Sequence, residues 1–86
     1  MRFCVYLVRC ADGTLYCGIA TNVHRRIKEH NEGKGAKYIT RRRRPVTLVI
    51  RTGYVFSRGE AQSFEYKTKK QHRKDKIAYV RRLRLL

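Results

Sequence analysis

The chain has 86 residues, of which 22 are Lys or Arg and six are Asp or Glu, a formal charge of +16. Its length limits it to one small domain with a modest core. Its 42% hydrophobic content, with six tyrosines and three phenylalanines, excludes a disordered basic tail. In chain order, the stretch "RFCVYLVRC" reads as a strand. Phe3, Val5 and Leu7 make one apolar face, and Cys4, Tyr6 and Val8 the other, so the strand is expected to be central and covered on both sides. "ADG" marks a hairpin turn into a second strand, "TLYCGI". Thr21 or Asn22 can cap a helix through "VHRRIKEH", which Asn31 and Gly33 close. A basic segment, "GKGAKYITRRRR", allows one short helical turn before Pro45 stops it. "VTLVIRTGYVF" reads as a third strand. The capping box "SRGE" then opens a long helix, with a break near His72 to Asp75 before a last one. The expected class is α+β: a three-stranded antiparallel sheet flanked by helices, in the order ββα–β–αα, forming a single domain over residues 1–86.

The charge selects a polyanionic partner, nucleic acid first. A membrane surface fits less well, because no segment reads as a strongly apolar amphipathic helix, and none is long enough to span a bilayer. The apolar run from Phe3 to Val8 is too short for a signal peptide. Cys4, Cys10 and Cys17 form neither a C-x-x-C pair nor an even set, so reduced thiols in a cytoplasmic protein are expected rather than disulfides or a zinc site.

Two polar residues fall on or beside apolar helical faces. In the first helix Val23, Ile27 and His30 share a side; Arg26 flanks it, while Arg25 points nearly the opposite way. In the long helix Glu65 shares the face of Ala61, Phe64 and Thr68, where a carboxylate needs a counter-ion. Structural alternatives stand beside both: Arg26 can snorkel, and Glu65 can pair with a neighbouring Lys or Arg. Glu29 and Glu32 are expected on or just after the exposed side of the first helix. Hairpin parity bears on Tyr6 and Tyr16. A two-residue loop puts their side chains on opposite faces, whereas a three-residue loop, Ala11-Asp12-Gly13, pairs Cys10 with Thr14 and puts both on one face. The left-handed third position of that loop suits Gly13, so the three-residue loop is the expected one.

In this order the residues Cys4-Val5-Tyr6, Tyr16-Cys17-Gly18, Arg26 and Glu65 resemble the GIY-YIG nuclease domain. "HNEGKGAKYITRRRRPVTLV" is similar to the small stand-alone bacterial YhbQ-like members, and its His-Asn-Gly pattern to the nuclease subunit of junction resolvases. The chain departs from the pattern at Cys4, where the family has Gly. No asparagine follows the long helix in "KQHRKDK", and the added DNA-recognition domain of many members is not expected within these 86 residues. The resemblance implies a metal-dependent endonuclease that hydrolyses DNA phosphodiester bonds, structure-selective and linked to DNA repair or recombination. Glu65 would hold one Mg²⁺ or Mn²⁺ ion, Arg26 would grip the phosphate, Tyr6 would act as base, and Tyr16 would orient water or phosphate. His30 would assist, or serve only as a helix C-terminal residue. Lys34, Lys37 and Arg41, Arg42, Arg43 and Arg44 form one candidate DNA-binding cluster. Lys67, Lys69, Lys70, Arg73 and Lys74 form another. The expected protein is a monomer bound to no membrane, with a protein partner supplying specificity. The alternative is a non-catalytic DNA- or RNA-binding module that keeps the nuclease fold. The inward-facing Glu65 argues against it, since a bare carboxylate repels phosphate.

Overall fold

A computed structural model describes residues 1–86. Strands β1 (Cys4–Arg9), β2 (Leu15–Ala20) and β3 (Thr47–Arg51) form one antiparallel sheet in the order β2-β1-β3. Helix α1 (Val23–Asn31) follows the hairpin; α2 (Arg58–Lys69) and α3 (Arg73–Leu83) follow β3. The doubly apolar β1 is the central strand, with residues Cys4 to Val8 all buried. Its alternation divides the core in two. Cys4, Tyr6 and Val8 pack with Val23 of α1 and with Ile39 and Val46 from the connection to β3. Val5 and Leu7 pack with Ala61 of α2 and with Val80 and Leu83 of α3.

Sequence chemistry sets the element ends. The Asn22 side chain accepts the Arg25 N–H at 3.1 Å and caps α1. Tyr54 adds a second cap, its hydroxyl accepting the Val23 N–H. Ser57 and Glu60 close the capping box of α2 at 3.2 and 2.8 Å. The helix break falls at Lys70–His72, where Lys76 Nζ donates to the carbonyls of Thr68 and Lys69. A 3₁₀ turn at Arg41–Arg43 supplies the short helical turn, and the Arg44–Pro45 bond is cis. The third strand is shorter than its β-branched run: it ends at Arg51. There Thr52 Oγ1 takes the Val5 N–H that a continuing ladder would have used, and the chain returns to the sheet for a single bridge, Phe56 to Phe3.

The hairpin has the three-residue loop. Cys10 N–H donates to Thr14 O, Val8 faces Tyr16, and Gly13 sits at φ 86°. Tyr6 and Tyr16 therefore share the face that carries α1, and Tyr6 lies directly opposite Gly18. β2 is an edge strand, and this places Tyr16 at the side of the sheet while Tyr6 lies on the central strand.

Candidate active site

Tyr6 and His30 form the centre. Both are almost wholly buried, at 1% and 0% exposure, and Tyr6 Oη lies 2.8 Å from His30 Nε2. Two glycines make room for them. A Cβ on Gly18 would come within 2.5 Å of Tyr6 Cζ, and one on Gly35 would press into the His30 ring. The Ala36 N–H donates to His30 Nδ1 at 3.3 Å. Burial, reinforced by the Arg26 charge, holds His30 below its ordinary range, so it is neutral near pH 7. With Nδ1 accepting, the neutral ring carries its proton on Nε2 and donates it to Tyr6 Oη; this tautomer is assigned from the hydrogen-bond network. The Tyr6 hydroxyl proton is then free to point elsewhere.

Burial drives the Tyr6 hydroxyl well above its ordinary value, the neighbouring Tyr16 adds to this, and Arg26 opposes it. Tyr6 is a neutral phenol at rest. Arg26 is about one-third exposed and pairs with Glu29 at 3.2 Å, one turn along α1. Helical geometry therefore separates the adjacent arginines as expected: Arg26 reaches the tyrosines, and Arg25 is exposed. Glu29, read as a surface acid, is instead the counter-ion of Arg26. Its (i, i+3) spacing was the available signal.

Tyr16 connects this centre to the long helix. Its ring meets His30 edge-on at 5.5 Å and stacks on Tyr38 at 5.5 Å, and Lys69 Nζ lies 5.6 Å from its centroid. Lys69 is paired with Glu65 at 3.4 Å. Burial raises the Tyr16 hydroxyl, with Lys69 lowering it and Glu65 raising it; burial and then Glu65 push the Cys17 thiol up to about 12. Glu65 thus acts electrostatically on β2. All five candidates, Tyr6, Tyr16, Arg26, His30 and Glu65, join in one connected set around the β2 edge. Tyr38, which packs against Tyr16, was absent from the sequence reading. It lies in a loop that periodicity does not address.

The basic residues divide. Lys34, Lys37, Arg41 and Arg42 are exposed. Arg43 is already engaged: it pairs with Asp12 at 3.0 Å, donates to Tyr38 O at 3.0 Å and covers the Tyr38 ring at 4.0 Å. Arg44 is half-buried against the Gly33 turn, its Nε without a partner. Lys67 and Lys70 lie over Phe64 and Tyr66, and Arg73 donates to Gly13 O.

The donor set constrains any metal. No cluster of three His, Cys, Asp or Glu side chains exists. Glu65 is the one carboxylate in the connected set besides the Arg26 partner Glu29, and 23% of its side chain is exposed. That excludes a closed zinc-type cage but fits Mg²⁺, which keeps several waters and takes one or two carboxylates plus substrate phosphate. Lys69 would have to yield Glu65 to the ion.

Comparison with known proteins decides the family. The model of the GIY-YIG catalytic domain matches residues 2–78. The chain belongs to the GIY-YIG family. Its relatives include the UPF0213 protein of Nitratidesulfovibrio vulgaris, 50% identical over 86% of this chain and 66% of that one. The chain thus spans just under two thirds of that relative's length. UPF0213 protein YazA of Bacillus subtilis is 45% identical over 87% of this chain and 74% of its own. Among solved structures, the solution structure of the UPF0213 protein BH0048 from Bacillus halodurans is 45% identical, with a TM-score of 0.55 over 93% of this chain and 83% of that one. The protein EF2693 from E. faecalis reaches a TM-score of 0.63 at 36% identity, covering 100% and 90%. Tyr16-Cys17-Gly18, the stretch that resembles the family's second motif, has Gly18 packed against the Tyr6 phenol. No helix is long and apolar enough to cross a membrane.

Proposed function

We propose that this GIY-YIG domain is a metal-dependent endonuclease that hydrolyses DNA phosphodiester bonds with selectivity for DNA structure, in repair or recombination. The observation that carries this reading is the connected set from Tyr6 through His30 and Tyr16 to Lys69 and Glu65 at the β2 edge, with Arg26 beside it.

In the proposed reaction a water oxygen attacks phosphorus, one P–O ester bond breaks, and the leaving oxygen is protonated. Arg26 binds the non-bridging oxygens, where its planar fork suits phosphate; the incoming anion takes the place of Glu29. Tyr6 is the base: once its own hydroxyl proton has passed to solvent, the phenolate Oη takes the proton of the attacking water, and the leaving oxygen is protonated from solvent. The charged form of Tyr6 is favoured by the Arg26 guanidinium and by the His30 Nε2–H, and disfavoured by burial. Tyr16, close to both His30 and Lys69, orients water or phosphate. Glu65 would hold Mg²⁺ or Mn²⁺, which when bound stabilises charge on the phosphate and leaving oxygen. Lys34, Lys37, Arg41 and Arg42 hold the DNA backbone without reading its sequence.

The test is cleavage of labelled single-stranded, duplex, flap and four-way-junction DNA with Mg²⁺ or Mn²⁺, comparing wild type with Glu65→Ala. Products that require metal and vanish in the variant are expected. Binding without cutting by either protein transfers the case to a non-catalytic nucleic-acid module. Cutting that survives Glu65→Ala removes Glu65 from the site.

A further inference from the structure

Two cavities flank the β2 edge, the first of them reaching the candidate active site at Tyr16. The first, about 300 Å³, lies against Tyr16 and Tyr38 and is bordered by Lys69, Lys76, Leu15 and Cys17. The second, about 480 Å³, lies under the hairpin and is formed by Arg9, Leu15, His72, Arg73, Lys74 and Ile77. Leu15 borders both. Strand parity explains the second cavity. Val5 and Leu7 face the layer of α2 and α3, so Arg9 faces that side too, at the strand end where α3 begins.

The second cavity is strongly cationic, with no carboxylate in its wall; Asp75, the nearest acid in sequence, does not border it. Arg73 is committed to the hairpin through Gly13 O. Arg9 and Lys74 are exposed and their side chains make no hydrogen bond or ion pair within the chain, so two cations face an open cavity without a counter-ion. A chain following both cavities passes Tyr16 and Tyr38 on the α1 side, turns around the strand edge within the first cavity, where Leu15, Cys17, Lys69 and Lys76 already belong to the α2–α3 side, and ends beside α3. A duplex, stiff over about 150 base pairs, cannot make that turn cheaply. An unpaired strand can, and a basic groove beside aromatic rings is how such strands are held.

We infer that Arg9 and Lys74 form a second phosphodiester-binding cleft, which receives the unpaired strand leaving the Tyr16 cavity. This deepens the nucleic-acid part of the proposed function and does not depend on cleavage.

The test is fluorescence anisotropy with labelled oligo-dT and with a duplex of equal length, without divalent metal and over a range of salt. Wild type is compared with the double variant Arg9→Ala/Lys74→Ala and with a charge-matched control, Arg25→Ala/Lys28→Ala, on the outer face of α1. Circular dichroism checks that each protein is folded, and the single variant Lys74→Glu gives a second reading should the double variant misfold. The expected result is weaker oligo-dT binding by the double variant. The slope of log K against log salt should fall by about 1.4, two contacts at about 0.7 each on single strands. The control should change less. Binding and slope equal to wild type overturn the cleft, as does an equal loss in the control, which would assign the effect to net charge. Tighter wild-type binding to duplex than to oligo-dT overturns the unpaired strand as its occupant. Failure of the nuclease reading is distinguishable, since an inactive protein can still show the expected loss of binding.

Discussion

Tyr6→Phe tests the core of the site through stability alone. The substitution keeps the ring, so Cζ and Cε2 still pack against Gly18 and only the space of one oxygen atom opens. What disappears is the acceptor for His30 Nε2–H. His30 is 0% exposed, so water cannot replace it. Leaving a buried donor unsatisfied costs about 1–3 kcal/mol. Taking about 2 kcal/mol, and about 4–8 °C of Tm per kcal/mol for a domain of this size, Tm should fall by roughly 8–16 °C. Tyr16→Phe is the comparison. Tyr16 is a partly exposed residue whose hydroxyl makes no hydrogen bond within the chain, so the loss should stay within about 0.5 kcal/mol, as for ordinary surface changes. Urea and thermal unfolding followed by far-ultraviolet circular dichroism measure both. If Tyr6→Phe proves no more destabilising than Tyr16→Phe, the Tyr6–His30 bond is not what holds the pair, and the assigned His30 tautomer loses its support.

Gly18→Ala should be more damaging than an average core change, because its Cβ would meet the ring of Tyr6 at Cζ and Cε2 within 2.5 and 2.9 Å; a soluble variant of wild-type stability would show that the ring can move aside. His30 titrates below its ordinary value in the fold, so below about pH 6.5 the unfolded chain binds the extra proton first and stability should fall with falling pH. Unfolding at pH 7.5 and 5.5 checks this, and a rise on acidification would refute the sign. Cys17, pushed up to about 12, together with the buried Cys4 and Cys10, should resist thiol reagents at pH 8 until urea unfolds the chain. Ser57→Ala removes the cap of α2 and should cost about 1 kcal/mol in the same unfolding assay.

Local patterns carried most of the fold into view. β1 is apolar on both faces and is central; the capping box and the three-residue turn are short-range signals that the chain obeys. Helical spacing separated Arg26 from Arg25, and strand parity placed both tyrosines on one side. What escaped the reading depends on residues far apart in sequence. Nothing local to Arg43 indicates Asp12, 31 positions away, and nothing local to His30 indicates that the loop at Gly35 and Ala36 folds back over it. The third strand was read too long because its alternation continues past Arg51. The hydroxyl of Thr52 ends the ladder, and composition does not reveal that.

The burial of Tyr6 and His30 has a consequence for how such a domain can change over generations. These two of the residues proposed to do chemistry are also core residues, so most replacements at either one lose structure and the proposed activity together. The exposed cations Arg41, Arg42, Arg9 and Lys74 carry no such double constraint. Replacing any of them alters the surface charge of the domain without disturbing its core.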